Sequence, residues 1–318
     1  MGKKYNCHAR KQWQMEMRIM KKILVTGGTV FVSRYIAEYY VAKGYEVYVL
    51  NRNTRKQSNG VILIEADRHN LGELLREYCF DVVIDTAYNS GDVEMLLDAL
   101  GEYKEYIFIS SSAVYPEYAT HPFKEDTLLA VNKYWGKYGT DKIEAENILL
   151  KRNPNAYIIR PPYLYGAMNN VYREAFVFDC ALADRKFYLP KDGEMQLQFF
   201  HIHDLCRFID VLLEKRPNQH IFNVGNKDMI SIREWVELCY NIVGKQVEFV
   251  NVYEDIEQRN YFSFYNYEYV LDVSKQYELM RDVKSLDDGL RDAYDWYIYN
   301  TDKVNRKAFI EYIDNNLV

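Results

Sequence analysis

The chain has 318 residues, 48% of them hydrophobic and 27% charged, which is enough to bury a sizeable core in one large domain or two unequal lobes. No apolar run reaches the roughly 18 residues that span a bilayer, and the segment MGKKYNCHARKQWQMEMRIMKK lacks the apolar stretch of a secretory signal, so a cytoplasmic location with no membrane partner is expected. A formal net charge of −6 argues against a broad nucleic-acid surface.

Residues 1–20 are polar and basic without sustained periodicity and read as a poorly packed tail, with the fold proper starting near Lys21. From there short β-branched runs alternate with helical stretches. ILVTG (23–27) reads as a buried strand, Phe31 to Lys43 as a helix, EVYVLN (46–51) as a second strand and VILIEAD (61–67) as a third. A helix near Asn70 to Tyr78, the strand DVVIDTA (81–87), a helix near Asp92 to Tyr103 and the strand EYIFISSS (105–112) follow. A helix from Tyr134 to Lys151 and the strand AYIIR (156–160) complete this half. Strand and helix in strict alternation imply an α/β fold, a doubly wound parallel sheet with helices on both faces.

After Arg160 the texture changes. PPYLYG breaks regular structure, a helix is expected from Tyr172 to Arg185, and QLQFFHI (196–202) precedes a helix at Asp204 to Lys215. IFNVG (221–225) reads as a strand, SIREWVELCYNIVG and DDGLRDAYDWYIYN as amphipathic helices, and QVEFVNV (246–252) as a short strand between them. The domain reading is a dinucleotide-binding unit over 21–165, with later contributions from about 198–225, and a smaller mixed α/β lobe from 166–197 and 226–318.

The five cysteines (Cys7, Cys79, Cys180, Cys206, Cys239) show no paired spacing, which fits reduced thiols and no metal site.

TGGTVFVS after a strand, ISSSAVY, YGTDK on the next helix, RPPYLYG and FHIHDL occur in the order and spacing of extended short-chain dehydrogenase/reductases, the NAD-dependent epimerase/dehydratase family. The chain resembles that family over roughly Lys21 to Tyr299. GGT followed by Phe, with VLNR ending the second strand, is most similar to the atypical branch that includes chloroplast stem-loop-binding proteins, where an Arg commonly stands at the place of Val30.

The glycine loop raises a specific physical question. Dinucleotide-binding loops use one glycine for the tight turn, one for close approach to the pyrophosphate and one for helix packing. Gly27 and Gly28 serve the first purpose, whereas Val30 and Ser33 replace the others. Val30 fits if its φ is negative and its side chain turns away, leaving backbone N–H groups around Thr29, Val30, Phe31 and Val32 to meet the phosphates; the alternative is a plain strand-to-helix turn. The end of the second strand carries Asn51 and then Arg52, with Arg55 nearby, where a carboxylate would select NAD; this favours NADP over NAD. The resemblance also implies that Asp67 contacts adenine and that Thr86, Ala87 and Pro161 line the cofactor cleft.

The resemblance places the catalytic pair at Tyr138 and Lys142. Four residues apart on a helix, they share a face, so the ammonium can hold the ribose and lower the phenol pKa toward working pH. With 30 tyrosines in the chain the spacing alone recurs, at Tyr39/Lys43 and Tyr299/Lys303, and only Tyr138/Lys142 falls after the serine strand. The family hydroxyl partner corresponds to Ser111, with Ser112 an alternate. Dehydratases of the family carry an Asp-Glu pair where Ser112 and Ala113 stand, which disfavours dehydration. Ser112, Tyr163, Tyr165, Arg173 and His201 are candidates to meet the substrate.

The expected function is an NAD(P)-dependent epimerase or reductase acting on a nucleotide-linked sugar, an arrangement that allows a homodimer. The alternatives are a non-catalytic NADP-binding sensor and an RNA-binding protein of the stem-loop type. The acidic composition weighs against nucleic acid as a partner.

Overall fold

The computed structural model describes residues 21–318; the tail expected over residues 1–20, with Cys7 in it, lies outside the described residues. The amino-terminal half builds a seven-stranded, wholly parallel sheet. Its strands are β1 (Lys22–Thr26), β2 (Glu46–Asn51), β3 (Val61–Glu65), β4 (Cys79–Asp85), β5 (Glu102–Ile109) and β6 (Tyr157–Arg160), with a seventh, Ile221–Asn223, contributed from later in the chain. The spatial order is β3-β2-β1-β4-β5-β6 followed by Ile221–Asn223. Strand order therefore reverses between β1 and β4, and in such a sheet the crevice outside the carboxyl ends at the reversal is where ligands bind.

Side chains alternate across this sheet because successive Cβ atoms point to opposite faces. Ile23, Val25, Val49, Ile84 and Ile109 pack with Ile36, Leu205, Phe208 and Leu212 on one face. These latter residues come from helix α1 (Phe31–Ala42) and from the helix Ile202–Lys215. Leu24, Leu50, Val83, Phe108 and Ile158 pack on the other face against α2 (Ser90–Ala99) and α3 (Lys137–Arg152). Each fully buried aliphatic side chain contributes about 1.5–3 kcal/mol, so both helical layers are held mainly by this burial.

Past β6 the chain continues through β7 (Tyr163–Tyr165), α4 (Glu174–Leu182), β8 (Phe187–Pro190), β9 (Gln196–Leu197), β10 (Phe199–His201) and α5 (Ile202–Lys215). Then come β11 (Ile221–Asn223), β12 (Ile230–Ser231), α6 (Ile232–Val243), β13 (Phe249–Val252), α7 (Ser274–Leu279), α8 (Leu286–Tyr297) and α9 (Phe309–Asn316). A separate aromatic core, including Phe176, Phe199, Trp235, Phe262, Phe264 and Tyr297, holds the carboxy-terminal elements together. The helix α6 starts with a capping box between Ser231 and Glu234 and ends at Gly244, whose φ of +80° suits a glycine.

Several expected boundaries move. The helix expected from Asn70 to Tyr78 is a single 3₁₀ turn, Arg68–Asn70, followed by turns. Leu71 and Leu75 are buried at helical spacing, but Gly72 adopts φ +51°, which interrupts an α-helix. The helix expected to Tyr103 stops at Ala99, and β5 begins at Glu102, where Cys79 and Phe80 extend the ladder. At Gly101 between them a Cβ would lie 2.6 Å from the Arg76 carbonyl oxygen. The α3 helix begins at Lys137 instead of Tyr134, because Gly136 enters it at φ +49°. QLQFFHI divides into β9, antiparallel to β12, and β10, parallel to β7. Helices α7 and α9 were not anticipated.

Candidate functional site

Four strand ends and one helix converge at the topological switch point. The turn after β1 follows from its glycines: Gly27 and Gly28 adopt φ +86° and +82°, and a Cβ on Gly28 would sit 2.5 Å from Val49 Cγ1. No other residue type fits Gly28 without displacing β2. Val30 precedes α1 with φ −136° and ψ 136°, the conformation that accommodates its side chain. Ser33, where a third glycine would allow close packing, is buried and donates its hydroxyl to the Val30 carbonyl at 3.1 Å. Phe31 has φ +29°, a strained value for a residue with a Cβ, at the base of the cleft. No side chain caps the amino terminus of α1, so its first N–H groups are left for an anion.

The ends of β4, β5 and β6 supply the walls. Thr86 donates its hydroxyl to the Thr26 carbonyl at 3.0 Å and its N–H to Thr26 Oγ1 at 2.9 Å, which clamps β4 to β1. Phe31, Val32, Thr86, Ser111, Ser112, Tyr138, Lys142, Pro161, Tyr163 and Arg173 all line one cleft of about 280 Å³, joined by Tyr88, Trp135 and Tyr269. Larger hollows exist, such as one of about 670 Å³ beside Asn226, Tyr277 and Lys284, but none of the residues expected to do chemistry lines that one.

Tyr138 and Lys142 lie one turn apart on α3, facing this cleft. Lys142 is only 3% exposed, and its ammonium donates to the Ala87 carbonyl at 2.6 Å and the Ile109 carbonyl at 2.8 Å. Burial pushes its pKa down to about 8, against the nearby Asp85 and Glu146 carboxylates, which pull it up. Its nitrogen also sits 4.7 Å from the Phe108 ring centre and 5.7 Å from that of Tyr88. The Tyr138 side chain is 37% exposed by area, yet its phenol pKa is raised by the enclosure of the hydroxyl, with Ser111 and then Arg173 working in the opposite direction. Burial sets the direction of the phenol shift, and the Lys142 amine is turned toward the two carbonyls.

Ser111 accepts from the Ala113 N–H at 3.2 Å and stands beside the phenol. Ser112 donates to the Tyr269 hydroxyl at 3.0 Å, so it is committed to the wall. Arg173 donates to the Leu164 carbonyl at 3.2 Å and stacks over the Tyr163 ring at 4.9 Å. Burial pushes the Tyr163 phenol up, and its hydroxyl has no hydrogen-bond partner among the described residues.

The remaining candidates lie around or outside this cleft. Asn51 donates to the Gly27 carbonyl at 2.7 Å and accepts from the Asn53 N–H at 2.9 Å, tying the turn after β1 to the loop after β2. Arg52 follows it, exposed. Asp67 is exposed and accepts from the His69 N–H at 2.9 Å. His201 is not in the cleft: it caps α5 by accepting from the His203 N–H at 3.3 Å, and burial brings its pKa down to about 3. Tyr165 packs against it, with ring centres 5.1 Å apart, which makes both residues structural neighbours of the second core.

Two features had no clear local signal. Asp85, fully buried at the end of β4, accepts from Thr26 at 2.7 Å, Arg68 at 2.8 Å, Tyr106 at 2.8 Å and the Ala87 N–H at 3.1 Å. Burial alone would raise its pKa, but Arg68 and these donors hold it low. Glu146 and Arg160 form a second buried pair beneath the cleft. Among the described residues no cluster of His, Cys, Asp and Glu could hold a metal, Cys79, Cys180, Cys206 and Cys239 are free thiols, and no helix is long and apolar enough to cross a membrane.

A model of the NAD dependent epimerase/dehydratase family matches residues 23–95 and 91–225. The chain is 27% identical over 301 residues to the chloroplast stem-loop binding protein of 41 kDa b from Arabidopsis thaliana, covering 86% of this chain and 78% of that one. Among solved structures, it superposes on dTDP-glucose 4,6-dehydratase from Bacillus anthracis, crystallised with NAD, with a TM-score of 0.71 at 20% identity over 89% of this chain and 98% of the other. It also superposes on UDP-glucose 4-epimerase from Thermotoga maritima, crystallised with UDP-glucose, with a TM-score of 0.73 at 19% identity over 88% and 99% of the two chains.

Proposed function

The chain belongs to the NAD dependent epimerase/dehydratase family, and from that membership and the cleft we propose that it is an enzyme acting on a nucleotide-linked sugar, either oxidising and re-reducing a carbinol to give the epimer or reducing a carbonyl with hydride from the reduced cofactor. The observation that carries this reading is the convergence of Ser111, Tyr138 and Lys142 in one cleft at the carboxyl edge of the sheet, beside an uncapped helix amino terminus.

The residues present fit a dinucleotide. The positive-φ glycine turn and the free N–H groups of α1 would hold the pyrophosphate, Asp67 the adenine, Thr86, Ala87 and Pro161 the inner wall, and Lys142 the nicotinamide ribose. Asn51 and Arg52 in place of a carboxylate favour NADP, with NAD as the second choice. The cofactor supplies hydride acceptance and return. Tyr138, once its phenol is ionised, takes the proton of the substrate hydroxyl as hydride departs, and returns it on reduction. Ser111 donates to the same oxygen and fixes its position. Lys142, reoriented from its carbonyls to a ribose, brings a positive charge toward the phenol and favours the phenolate. Ser112 and Ala113 offer no carboxylate for an elimination, so a dehydration is not proposed. A cytoplasmic location goes with this reading.

The test is to mix purified protein with a panel of nucleotide sugars while following the absorbance of bound nicotinamide. A redox change with at least one sugar supports the enzyme. If no sugar changes the cofactor's redox state although the cofactor binds, the non-catalytic sensor becomes the better reading. The similarity to a stem-loop-binding protein motivates one further arm, RNA binding by filter retention, where the net charge of −6 leads us to expect weak retention that salt abolishes.

A further inference from the structure

The charge of the cleft is unusual for a protein of net charge −6. None of the residues lining it is acidic, and two are cationic, Lys142 and Arg173. The carboxylates beneath it are already committed, Asp85 to Arg68 at 2.8 Å and Glu146 to Arg160 at 2.6 Å. Glu174, adjacent to Arg173 in sequence, turns into the second core, where it accepts from Asn169 at 2.9 Å, and makes no ion pair with Arg173 within 4.0 Å among the described residues. Lys142 has its carbonyl partners and, on the reading above, a ribose. Arg173 has one carbonyl contact and an aromatic support.

That support matters for geometry. The guanidinium carbon lies 4.9 Å from the Tyr163 ring centre and 5.9 Å from that of Phe264, so the two rings hold the cation in place and the N–H donors not spent on the Leu164 carbonyl remain for a ligand. A guanidinium fork matches two coplanar oxygens. Arg173 also lies near enough to the Tyr138 hydroxyl to act on its ionisation. A neutral hydroxymethyl group placed there would leave a partly desolvated cation without a counter-charge, which is unfavourable.

We infer that the sugar turned over in this cleft has its exocyclic carbon oxidised to a carboxylate, a hexuronate, held by the guanidinium of Arg173 over the Tyr163 ring. The inference rests on the nucleotide-sugar reading and narrows it. A diphosphate oxygen offers the same oxyanion chemistry, and a second guanidinium, Arg259, 5.0 Å over the Tyr265 ring and feeling the charge of Arg173, stands within the same electrostatic neighbourhood. The two sources are separated by substrate pairs that differ only at the sugar carbon.

The experiment compares kcat/KM for UDP-glucuronate with UDP-glucose and for GDP-mannuronate with GDP-mannose, in the wild type, Arg173→Gln and Arg173→Lys, and measures UDP and GDP binding by calorimetry. The expected result is a preference of roughly 10²-fold or more for the acidic member of a pair in the wild type, the scale of a desolvated charge pair, collapsing to within a few-fold in Arg173→Gln and partly kept in Arg173→Lys. Should Arg173→Gln fail to fold, the wild-type preference and the lysine variant decide. Equal or greater turnover of the neutral sugar overturns the inference and leaves the proposed function standing. Loss of UDP or GDP binding in Arg173→Gln equal to the loss for the uronate assigns the arginine to the diphosphate and also overturns it. Turnover of neither member of either pair overturns the inference, and if the wider nucleotide-sugar panel is also silent, the proposed function falls with it.

Discussion

Glu146 and Arg160 meet beneath the cleft in a two-pronged ion pair, with Arg160 Nε donating to Oε1 at 3.0 Å and Nη2 to Oε2 at 2.6 Å. Both side chains are almost wholly buried, and Ser110, next to Ser111, donates to the same carboxylate at 2.5 Å. Arg160 Nη1 further donates to the Tyr115 hydroxyl at 2.8 Å and to the Glu125 carbonyl at 3.0 Å. The pair thus ties α3, which carries Tyr138 and Lys142, to the ends of β5 and β6. Burial disfavours the Arg160 charge, but Glu146 more than offsets it and the guanidinium stays ionised.

Breaking one side of such a pair leaves an uncompensated buried charge. Arg160→Met is expected to lower unfolding stability by about 3–5 kcal/mol, read from the shift of the urea midpoint. A loss below about 1 kcal/mol, the level of an exposed pair, would show that water reaches the site.

Gly28→Ala tests the cofactor turn. Its Cβ would stand 2.5 Å from Val49 Cγ1 at φ +82°, so β2 must shift or the turn must open. The expectation is a loss of about 1–3 kcal/mol in stability together with weaker dinucleotide binding, whereas Gly44→Ala, where nothing lies within 4 Å of the added Cβ, should weaken no binding.

The ammonium of Lys142 gives a pH signature. Burial brings its pKa down to about 8, and binding of an anionic dinucleotide would favour the protonated form. Affinity is therefore expected to be constant below pH about 8 and to fall above it, with proton uptake on binding seen by calorimetry in buffers of different ionisation enthalpy. Lys142→Met should bind more weakly and lose this pH dependence. Affinity independent of pH from about 7 to 10 in the wild type would contradict the assignment of Lys142 to the cofactor.

The proposed preference for NADP rests on Asn51 and Arg52, which stand where a carboxylate would select NAD. NADP(H) should bind more tightly than NAD(H) by about tenfold, equivalent to about 1.4 kcal/mol from the arginine, and Arg52→Ala should remove the difference. Equal affinities or a preference for NAD(H), measured at one salt concentration, would refute it.

The sheet was legible because its inner strands, such as β1 and β4, are mostly buried and read as continuous β-branched runs, and because the glycine turn needs backbone conformations that sequence can name. The helix expected over 70–78 failed for a reason also written in the chain, Gly72, whose freedom outweighs the spacing of Leu71 and Leu75. The resemblance singles out Ser111, Tyr138 and Lys142, and the structure brings them to one cleft. Tyr88, Trp135 and Tyr269 were missed, since a wall assembled from three distant loops leaves no local pattern. His201 was expected to meet substrate, but its role at the start of α5 depends on Nδ1 geometry that spacing does not encode. The upward push on the Tyr138 phenol follows from enclosure, which only the packed structure reveals.

The most direct test of the catalytic reading is the turnover of Tyr138→Phe with whichever nucleotide sugar the wild type converts, measured alongside cofactor affinity. The change removes the ionisable hydroxyl and keeps the ring that packs 6.2 Å from Tyr88. The account predicts that cofactor affinity persists while turnover falls by roughly 10²-fold or more, the scale of a positioned proton transfer. Turnover at the wild-type level would contradict it.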